Sequence, residues 1–576
     1  MKILGLSGAV SHDASAALIV DGKLVCAAEE ERFIRDKHAK NKLPLEATQW
    51  CLQEAGLSPK DIDIVAFPFA PIGLLSSAAR WHYAKRYWYA PDRALDALFN
   101  GNRHYKRNEK RVYSFLTDLG FDLQKTQFMP IEHHLTHASS AYHLSGFKGR
   151  AAILGVDGKG EYASTFLGYA DENGCIHKIK EFFDPDSLGG LYGAMTQYLG
   201  FEMLDGEFKV MGMAPYGDAS RYDLSPLLEF NGKNFNVNTR LVNTIGLRRH
   251  KQSGQSYYFS SKLVDWLGPM RLGDEIDEPY IHYAAGIQKM LEDSVLALVQ
   301  HYLGSIIQET GRLCFAGGVA LNVKLNQRLL QLPGLKELFV QPAANDAGTA
   351  VGAATYSTSL QSIPVQPLEH VYLGPSYTTE ACVKACEQHV ARPGFRILDN
   401  TVEYAAKLLA EGEPLAWFQG RMEFGPRALG NRSILGCPGA AGIADKINQQ
   451  IKYRERWRPF CPSLLDTVAK DILQSTHPAP YMTITFDVAP AWKARIPEVV
   501  HEDGTIRAQV VTQKSNPRYY ELISTLERLT GNAVVLNTSL NRRGEPMVCT
   551  PEDALNMFFG CDLRYLIMED VLVVKE

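Results

Sequence analysis

Residues 2 to 25 read KILGLSGAVSHDASAALIVDGKLV, and this stretch predicts three strands joined by two turns. Its apolar runs are separated by a polar tip, Ser11-His12-Asp13, and by the turn Asp21-Gly22. Apolar runs bounded by glycine and aspartate turns are typical of strands buried on both faces. The sequence therefore predicts a buried meander that carries His12 at the tip of its first hairpin.

The same pattern recurs from residue 152, where AILGVDG leads into STFLGY at 164–169, a turn at Asn173-Gly174 and a strand from Ile176. An internal repeat of this kind indicates a duplicated unit. Two such glycine-rich meanders resemble the actin-like ATPase superfamily, in which two ribonuclease H-like subdomains hold a nucleotide between them. The resemblance implies an α/β fold for this part of the chain, and a chance likeness of two meanders is the alternative.

A long amphipathic helix is predicted from Ala284 to Gln308, because apolar side chains recur there at steps of three and four residues. A strand at 313–315 follows, and GGVALN at 317–322 then opens another helix. Unpaired N–H groups at a helix start attract phosphates, and glycines let a ligand come close. The pattern favours a nucleotide site, although a strand-to-helix turn without a ligand looks the same.

A metal site is predicted from two histidines and two aspartates. EHHLTHASSAY at 132–142 puts His133 and His137 on one face of a helix. Asp157 ends the repeated strand, and Asp346 lies among small residues downstream. Two imidazoles and two carboxylates suit a divalent metal. Surface histidines and turn aspartates are the alternative, and the glycine-rich strand ends favour the metal.

The composition changes after the segment YSTSLQSIPVQP at 356–367. Its two prolines predict a linker at 359–370 between a domain of residues 1–358 and a domain of residues 371–576. Within the second domain, residues 421–458 hold eight Arg or Lys against three Asp or Glu, a local charge of +5 in a chain of charge −4. These cations lie among glycines, prolines and aromatic residues, which favours a fixed pocket for a phosphorylated ligand over a solvated basic face.

Two later segments extend this predicted pocket. Arg507 follows a turn, and Ser539 lies in the cluster NTSLN at 537–541, where a predicted strand ends. Strand ends are where α/β proteins usually bind ligands. A surface arginine and a helix cap are the alternatives for these two residues.

Length, charge and cysteine content narrow the class of protein. A chain of 576 residues exceeds one ordinary core, and its 45% apolar and 22% charged content is typical of folded globular proteins. The net charge of −4 does not favour nucleic acid as the main partner. The ten cysteines lack the paired spacing of a zinc site, and no apolar run is long enough for a signal peptide or a bilayer span. We therefore expect a cytoplasmic protein with reduced thiols and no membrane partner.

Over nearly its whole length the chain resembles the NodU/CmcH family of O-carbamoyltransferases. The matching segments, in chain order, are HDASAAL at 12–18, EEERF at 29–33, HHLTHASSAY at 133–142, DGKGE at 157–161, EFKVMGMAPYG at 207–217, GGVALN at 317–322, NDAGTA at 345–350, FGPRALGNRSIL at 424–435, KYRERWRPF at 452–460, DGTIRAQ at 503–509 and LNTSLN at 536–541. The family joins an actin-like domain, similar to the enzyme that adds threonylcarbamoyl groups to tRNA, to a YrdC-like α/β domain.

The resemblance implies a reaction in two steps. Carbamoyl phosphate and ATP would give carbamoyl adenylate and pyrophosphate in the C-terminal domain. In the N-terminal domain a hydroxyl of a small molecule, such as a sugar or an antibiotic precursor, would then take the carbamoyl group and release AMP. The acceptor is not identified by the sequence, and a homodimer is a further expectation.

The family pattern also implies roles for single residues. Carbamoyl phosphate would be held by Lys452, Arg458, Arg507 and Ser539, the metal by His133, His137, Asp157 and Asp346, and the nucleotide by Lys209, Gly317, Gly318 and Asn322. Iron is the implied metal, and Mg²⁺ is expected to accompany ATP. His12 would assist the acceptor as a base or as a donor to the carbamoyl oxygen, and Lys37 is the second candidate. The family usually follows this lysine with His-Asp, whereas Ala39 follows Lys37-His38 here.

Three other functions compete with this one. An actin-like kinase would release ADP and would not use carbamoyl phosphate. A protein that modifies tRNA would need a more basic exterior than one patch provides. A nucleotide-sensing protein would bind ATP without releasing pyrophosphate.

Overall fold

The computed structural model describes residues 1–9, 11–71, 77–100, 102–244, 246–250, 254–453, 455 and 457–575. The chain divides into two compact units. The N-terminal unit comprises Met1–Cys26 and Lys40–Leu368, and the C-terminal unit comprises Ala27–Ala39 and Glu369–Glu576. A short segment near the start of the chain, residues 27–39, therefore belongs to the C-terminal unit.

Two five-stranded sheets form the N-terminal unit. The strands of the first sheet are β1 (Lys2–Ser7), β2 (Ser15–Val20), β3 (Lys23–Glu29), β4 (Ile64–Phe67) and β5 (Gln127–Pro130). They lie in the order β3-β2-β1-β4-β5. β1 pairs antiparallel with β2 and parallel with β4, and β4 pairs parallel with β5. β1 and β2 are buried almost throughout, as their apolar runs predict.

The second sheet repeats this order. Its first strands are β6 (Ala151–Val156), β7 (Ala163–Ala170) and β8 (Ile176–Phe183), followed in the chain by two short hairpins, β9 (Leu228–Phe230) with β10 (Phe235–Val237) and β11 (Arg248–Arg249) with β12 (Ser256–Tyr257). The sheet is completed by β13 (Arg312–Ala316) and β14 (Glu337–Val340), in the order β14-β13-β6-β7-β8. In both sheets a meander of three strands is extended by two parallel strands beside its first strand. The predicted duplicated α/β fold is confirmed by this shared strand order.

The helices before residue 369 are α1 (Glu30–Ile34), α2 (Leu45–Glu54), α3 (Ala78–Arg86), α4 (Pro91–Asn100), α5 (Arg103–Asp118), α6 (His133–Tyr142), α7 (Leu188–Tyr198), α8 (Glu207–Met213), α9 (Ser261–Leu267), α10 (Tyr280–Thr310), α11 (Val323–Leu330) and α12 (Ala347–Leu360). The predicted helix at 284–308 is α10, and it ends at Gly311, whose φ is +71°. The units divide between Leu368 and Glu369, eight residues beyond the end of α12.

Small residues let α12 approach its neighbours very closely. A Cβ on Gly352 would lie 1.9 Å from the backbone oxygen of Thr136 in α6, and a Cβ on Gly5 of β1 would lie 1.9 Å from the backbone oxygen of Ala350. The sequence AGTAVGAATYSTSL of α12 supplies the glycines and alanines that this packing requires. The start of α12 is thereby held beside both α6 and the first sheet.

The C-terminal unit is a mixed α/β structure. Its strands are β15 (Phe395–Ile397), β16 (Leu415–Phe418), β17 (Arg432–Gly436), β18 (Cys461–Leu465), β19 (Phe486–Asp487), β20 (Thr505–Ile506), β21 (Gln509–Val511), β22 (Val534–Ser539), β23 (Tyr565–Met568) and β24 (Val571–Val574). Eight of them form one sheet in the order β15-β24-β23-β16-β17-β22-β18-β21, and β19 pairs with β20. Likeness to a YrdC domain stays a prediction.

Seven helices accompany these described strands: α13 (Thr379–Gln388), α14 (Thr401–Ala410), α15 (Ile443–Ile447), α16 (Asp466–Leu473), α17 (Pro490–Lys493), α18 (Pro517–Thr530) and α19 (Pro551–Phe559). Trp417, Tyr519 and Leu522 belong to the buried core of this unit.

All ten cysteines are free thiols, and nine of them are buried. In the described part of the chain, no helix combines the length and the apolar composition that crossing a bilayer requires.

We expect Gly352→Ala to lower the stability of the N-terminal unit by about 2 kcal/mol or more, because the added methyl has no room beside Thr136. Gly304→Ala is the matched control, since a Cβ at that position of α10 meets nothing within 4 Å. Alanine there is expected to raise stability by about 0.5–1 kcal/mol through helix propensity. Thermal unfolding of both variants measures the difference, and equal shifts would contradict the packing argument.

Candidate metal centre and anion pocket

The four predicted metal ligands lie together in the N-terminal unit. His133, His137, Asp157 and Asp346 each direct one nitrogen or oxygen atom inward, and these atoms all lie within 4.8 Å of one another. The two Nε2 atoms are 3.1 Å apart, and His133 Nε2 lies 3.3 Å from Asp157 Oδ2 and 3.5 Å from Asp346 Oδ1. All four residues are buried. This donor set fits a divalent transition metal.

Three elements bring these ligands together. α6 supplies both histidines from successive turns, Asp157 directly follows β6, and Asp346 directly precedes α12. The close contact of α12 with α6 places Asp346 beside the histidines. Within the described chain the Nδ1 atoms of both histidines have no hydrogen-bond partner. Packing therefore helps to orient the rings, and Phe69 stacks on His133 with ring centroids 5.1 Å apart.

The carboxylates organise the charge of this cluster. Burial would raise the pKa of Asp157, but hydrogen bonds from His133 and His137 hold it well below the usual value. Burial also disfavours charged His137, yet Asp157 and Asp346 raise the pKa of its imidazole to about 9. Without a cation the cluster therefore keeps a proton near neutral pH. A metal would displace that proton, because only neutral imidazole binds metal.

Neighbouring groups hold the remaining carboxylate oxygens. The Gly318 N–H donates to Asp157 Oδ1 at 2.9 Å, and the Ser11 hydroxyl donates to Asp346 Oδ2 at 2.8 Å. Glu161 accepts the His133 N–H at 3.0 Å and so caps the start of α6. Sequence reasoning assigned no role to Ser11 or Glu161. The only sequence signal for a role of these two residues was their position at the HDASAAL and DGKGE segments. Their hydrogen-bond partners can be identified only from the fold.

His12 lies next to this cluster. Its Nδ1 is 3.0 Å from Asp13 Oδ2, and its Nε2 is 4.0 Å from Asp346 Oδ2. Burial disfavours the charged ring, but Asp346 and Asp13 outweigh that effect and raise the pKa of His12 to about 10. Lys37 lies in a 3₁₀ turn of segment 27–39, which belongs to the C-terminal unit, and its role stays a prediction.

The four predicted nucleotide contacts occupy different settings. Gly317 has φ +93°, and a Cβ there would lie 2.3 Å from the oxygen of Val156, so the position requires glycine. Asn322 caps α11 through the N–H of Leu325 and exchanges hydrogen bonds with Gln288. Lys209 in α8 places its Nζ 5.3 Å from the ring centroid of Phe201. Together with Gly318, which orients Asp157, these residues remain predicted nucleotide contacts.

Lys452 and Ser539 meet in the C-terminal unit. The ammonium of Lys452 donates to the backbone oxygens of Ser539 at 2.7 Å and Asn541 at 2.9 Å. It also reaches the Ser539 hydroxyl at 3.3 Å and Asn541 Oδ1 at 2.8 Å. The lysine is buried, so this arrangement fixes one positive charge at the end of β22.

A group of arginines lies in the same unit. Burial, with the charges of Arg507 and Arg458, lowers the pKa of Arg427 to about 9. Burial likewise lowers the pKa of Arg458, which contacts Glu455 at 3.4 Å. Arg507 donates through Nε to Cys461 Sγ at 3.1 Å. Among the described residues neither Arg427 nor Arg507 forms an ion pair, so their charges remain available to an anion.

The basic segment 421–458 is not uniform. Arg432 is fully buried, donates to the backbone oxygens of Gln419 and Asn431, and lies 3.6 Å from the ring centroid of Phe418. Arg421 donates to the backbone oxygens of Leu373 and Gly374. These two arginines have structural roles, whereas Arg427, which sequence reasoning only counted as part of the segment, lies with the candidate ligands.

Arg454 and Arg456, two of the eight cations counted in that segment, lie outside the described residues.

Comparisons with known proteins cover both units. A family model described as carbamoyltransferase N-terminus matches residues 2–355, and one described as carbamoyltransferase C-terminus matches residues 406–575. An uncharacterized protein of Synechocystis is 36% identical, over 100% of this chain and 96% of its own. The nodulation protein NolNO of Sinorhizobium fredii is 35% identical, over 100% of this chain and 83% of its own.

Similar solved structures include the activator of the 2-hydroxyisocaproyl-CoA dehydratase from Clostridium difficile with bound ADPNP. It is 14% identical, with a TM-score of 0.34, and the match covers 63% of this chain and 96% of that one. Likeness of this size says nothing about activity. The two family models, in contrast, together span most of the sequence. The chain belongs to the carbamoyltransferase family, and it is a transferase.

Proposed function

We propose that the protein is an ATP-dependent O-carbamoyltransferase that makes carbamoyl adenylate and passes its carbamoyl group to a hydroxyl of a small molecule. The observation that carries this proposal is the arginine group of the C-terminal unit. Arg427 and Arg507 form no ion pair among the described residues, Arg507 lies on Cys461 at 3.1 Å, and the buried ammonium of Lys452 is fixed at the end of β22. In a chain of this family, such cations offer a site for a phosphorylated carbamoyl donor.

The first step forms the activated carbamoyl group. Water displaces phosphate from carbamoyl phosphate, and a carbamate oxygen attacks the α-phosphorus of ATP, so phosphate and pyrophosphate both leave. Arg458, Arg507, Lys452 and Ser539 would bind the donor. A guanidinium group can donate two parallel hydrogen bonds to the oxygens of one phosphate. An incoming dianion would also relieve the repulsion among the guanidinium groups. The fixed ammonium of Lys452 would add a point charge to this site.

The second step transfers the carbamoyl group. We propose that His133, His137, Asp157 and Asp346 hold a divalent metal, with iron as the implied ion. When bound, the metal would neutralise phosphate oxygens of the departing AMP. Gly318 and Ser11 keep the two carboxylates in place through their hydrogen bonds.

His12 is proposed to assist the acceptor hydroxyl, as a base or as a donor to the carbamoyl oxygen, because its Nε2 lies near Asp346. A pKa of about 10 keeps the ring protonated near neutral pH and so favours the donor role. Lys37 remains the second candidate for this role. Lys209, Gly317, Gly318 and Asn322 are the proposed contacts of the nucleotide, which Mg²⁺ would accompany. The acceptor is proposed as a sugar or another hydroxyl-bearing natural product.

Purified protein incubated with ATP and carbamoyl phosphate is expected to release pyrophosphate and phosphate and to give carbamoyl adenylate or AMP. Phosphorus NMR distinguishes these products from ADP. ATP without carbamoyl phosphate is the control, and it should give no pyrophosphate. Accumulation of ADP would indicate a kinase and contradict the proposal, as would stable ATP in the presence of the donor.

Lys452→Ala is expected to lower carbamoyl phosphate-dependent pyrophosphate release by about a hundredfold or more, because it removes a fixed charge from a buried anion site. His137→Ala should keep most of that release, since it lies in the other unit. Lys446→Ala is the matched control, because Lys446 forms a half-buried ion pair with Glu413 at 2.8 Å elsewhere in the same unit. Full release by Lys452→Ala would show that the donor binds elsewhere.

The metal proposal is tested by calorimetric titration of metal-free protein with Fe²⁺ under anaerobic conditions. We expect about one site per chain, and Asp157→Asn should weaken its affinity at least about tenfold because one ligand loses its charge. His143→Ala is the control, since His143 ends α6 and bonds to Ser139 outside the cluster. Unchanged affinity in Asp157→Asn would remove Asp157 from the ligand set.

A further inference from the structure

We propose that Glu29 and Arg32 are positioning residues for the anion pocket, which they maintain by holding the loop that carries Arg427. This inference rests on the proposed function, because it takes the arginine group as the site of the carbamoyl donor. Both residues belong to segment 27–39 and to the motif EEERF, and sequence reasoning gave this motif no role.

Arg32 and Glu29 bind the backbone carbonyl oxygen and the backbone N–H of the same residue, Gly425. Arg32 Nη2 donates to the backbone oxygen of Gly425 at 3.0 Å, and the backbone N–H of Gly425 donates to Glu29 Oε1 at 3.0 Å. Arg32 and Glu29 also contact each other at 3.3 Å. Gly425 has φ +116°, a conformation that other residues rarely adopt. The ion pair therefore fixes the backbone at an unusual turn two residues before Arg427.

A second carboxylate holds the other side of the same loop. Glu423 Oε1 accepts the backbone N–H groups of Leu429 at 2.7 Å and Asn431 at 2.9 Å. Arg427 lies between these two anchor points, so the course of the chain at Arg427 is set from both sides. Its guanidinium must stay near Arg458 and Arg507 although their charges repel it.

The burial of Glu29 and Arg32 argues against a role in which the pair only stabilises the fold. Glu29 and Arg32 are each only 4% exposed, and burial raises the pKa of Glu29 to about 7 despite the adjacent guanidinium. A buried ion pair stabilises a fold little, because the loss of hydration offsets its attraction. Its directed hydrogen bonds, in contrast, determine geometry. Here that geometry is the position of a like-charged arginine that would otherwise move away from its neighbours.

Arg35 provides a matched control in the same segment. Its guanidinium donates to the backbone oxygens of Met547 at 2.6 Å and Pro546 at 2.9 Å, and so anchors segment 27–39 to the same unit. Its described hydrogen bonds and its ion pair with Asp553 do not involve the loop at 423–432. Arg35→Lys therefore weakens the attachment of the segment without loosening the hold on Gly425.

The test compares full-length wild type, Arg32→Lys and Arg35→Lys. Calorimetry measures the Kd for inorganic phosphate, pyrophosphate release gives KM and kcat for carbamoyl phosphate, and melting temperature reports stability. Losing one charge-assisted hydrogen bond to Gly425 should raise the phosphate Kd and the KM about tenfold in Arg32→Lys and leave both nearly unchanged in Arg35→Lys. We expect kcat to change less than KM, because a displaced Arg427 first weakens binding.

Equal increases in both variants, or no increase in Arg32→Lys, would overturn the proposal and leave the pair as a simple attachment. If Arg32→Lys does not fold, Glu29→Gln replaces it, with an expected increase of about threefold because the amide can still accept from Gly425. Wild type that binds phosphate but releases no pyrophosphate would refute the proposed function, and the phosphate Kd values would still decide the role of the pair. Wild type that binds no phosphate would overturn the pair's role as well.

Discussion

A cluster of buried charged groups of one sign is the constraint common to both candidate sites. In the N-terminal unit Asp157 and Asp346 face one point, and in the absence of a cation they help to keep protons on His137 and His12, whose pKa values rise to about 9 and about 10. In the C-terminal unit Arg427 and Arg507 lie near Arg458 without an ion pair among the described residues. Such groups cost free energy unless a ligand of opposite charge completes them. The two clusters carry charges of opposite sign, which supports the proposal of a metal cation at one and a phosphorylated anion at the other.

Each site is maintained by contacts that tolerate little change. The candidate metal ligands depend on the approach of α12 to α6, where the backbone oxygen of Thr136 occupies the space that a Cβ on residue 352 would need. The arginine group depends on a loop that Glu29, Arg32 and Glu423 hold by its backbone. Close packing transmits small displacements, so preorganisation at both sites comes from the scaffold around the ligands.

Sequence patterns among residues close together in the chain predicted more of the structure than any other feature. Apolar runs and glycine turns predicted the duplicated meander, and the spacing of His133 and His137 predicted one helical face. Contacts between distant segments were not predictable. Arg421, Arg427 and Arg432 look alike in the sequence, but two of them bind backbone oxygens and only Arg427 lies in the arginine group. Nor does any local signal place residues 27–39 in the C-terminal unit, because that depends on Gly425 and on the loop at 546–547.

The opposite signs of the two sites also explain why they belong to separate units. Within one buried pocket the guanidinium groups of Arg427 and Arg507 would pair with Asp157 and Asp346, since attraction between such charges is strong at low dielectric. Each pair would then occupy the oxygens that a metal needs and the N–H groups that a phosphate needs. Placing the carboxylates on the N-terminal unit and the arginines on the C-terminal unit leaves both sets of charges available for ligands.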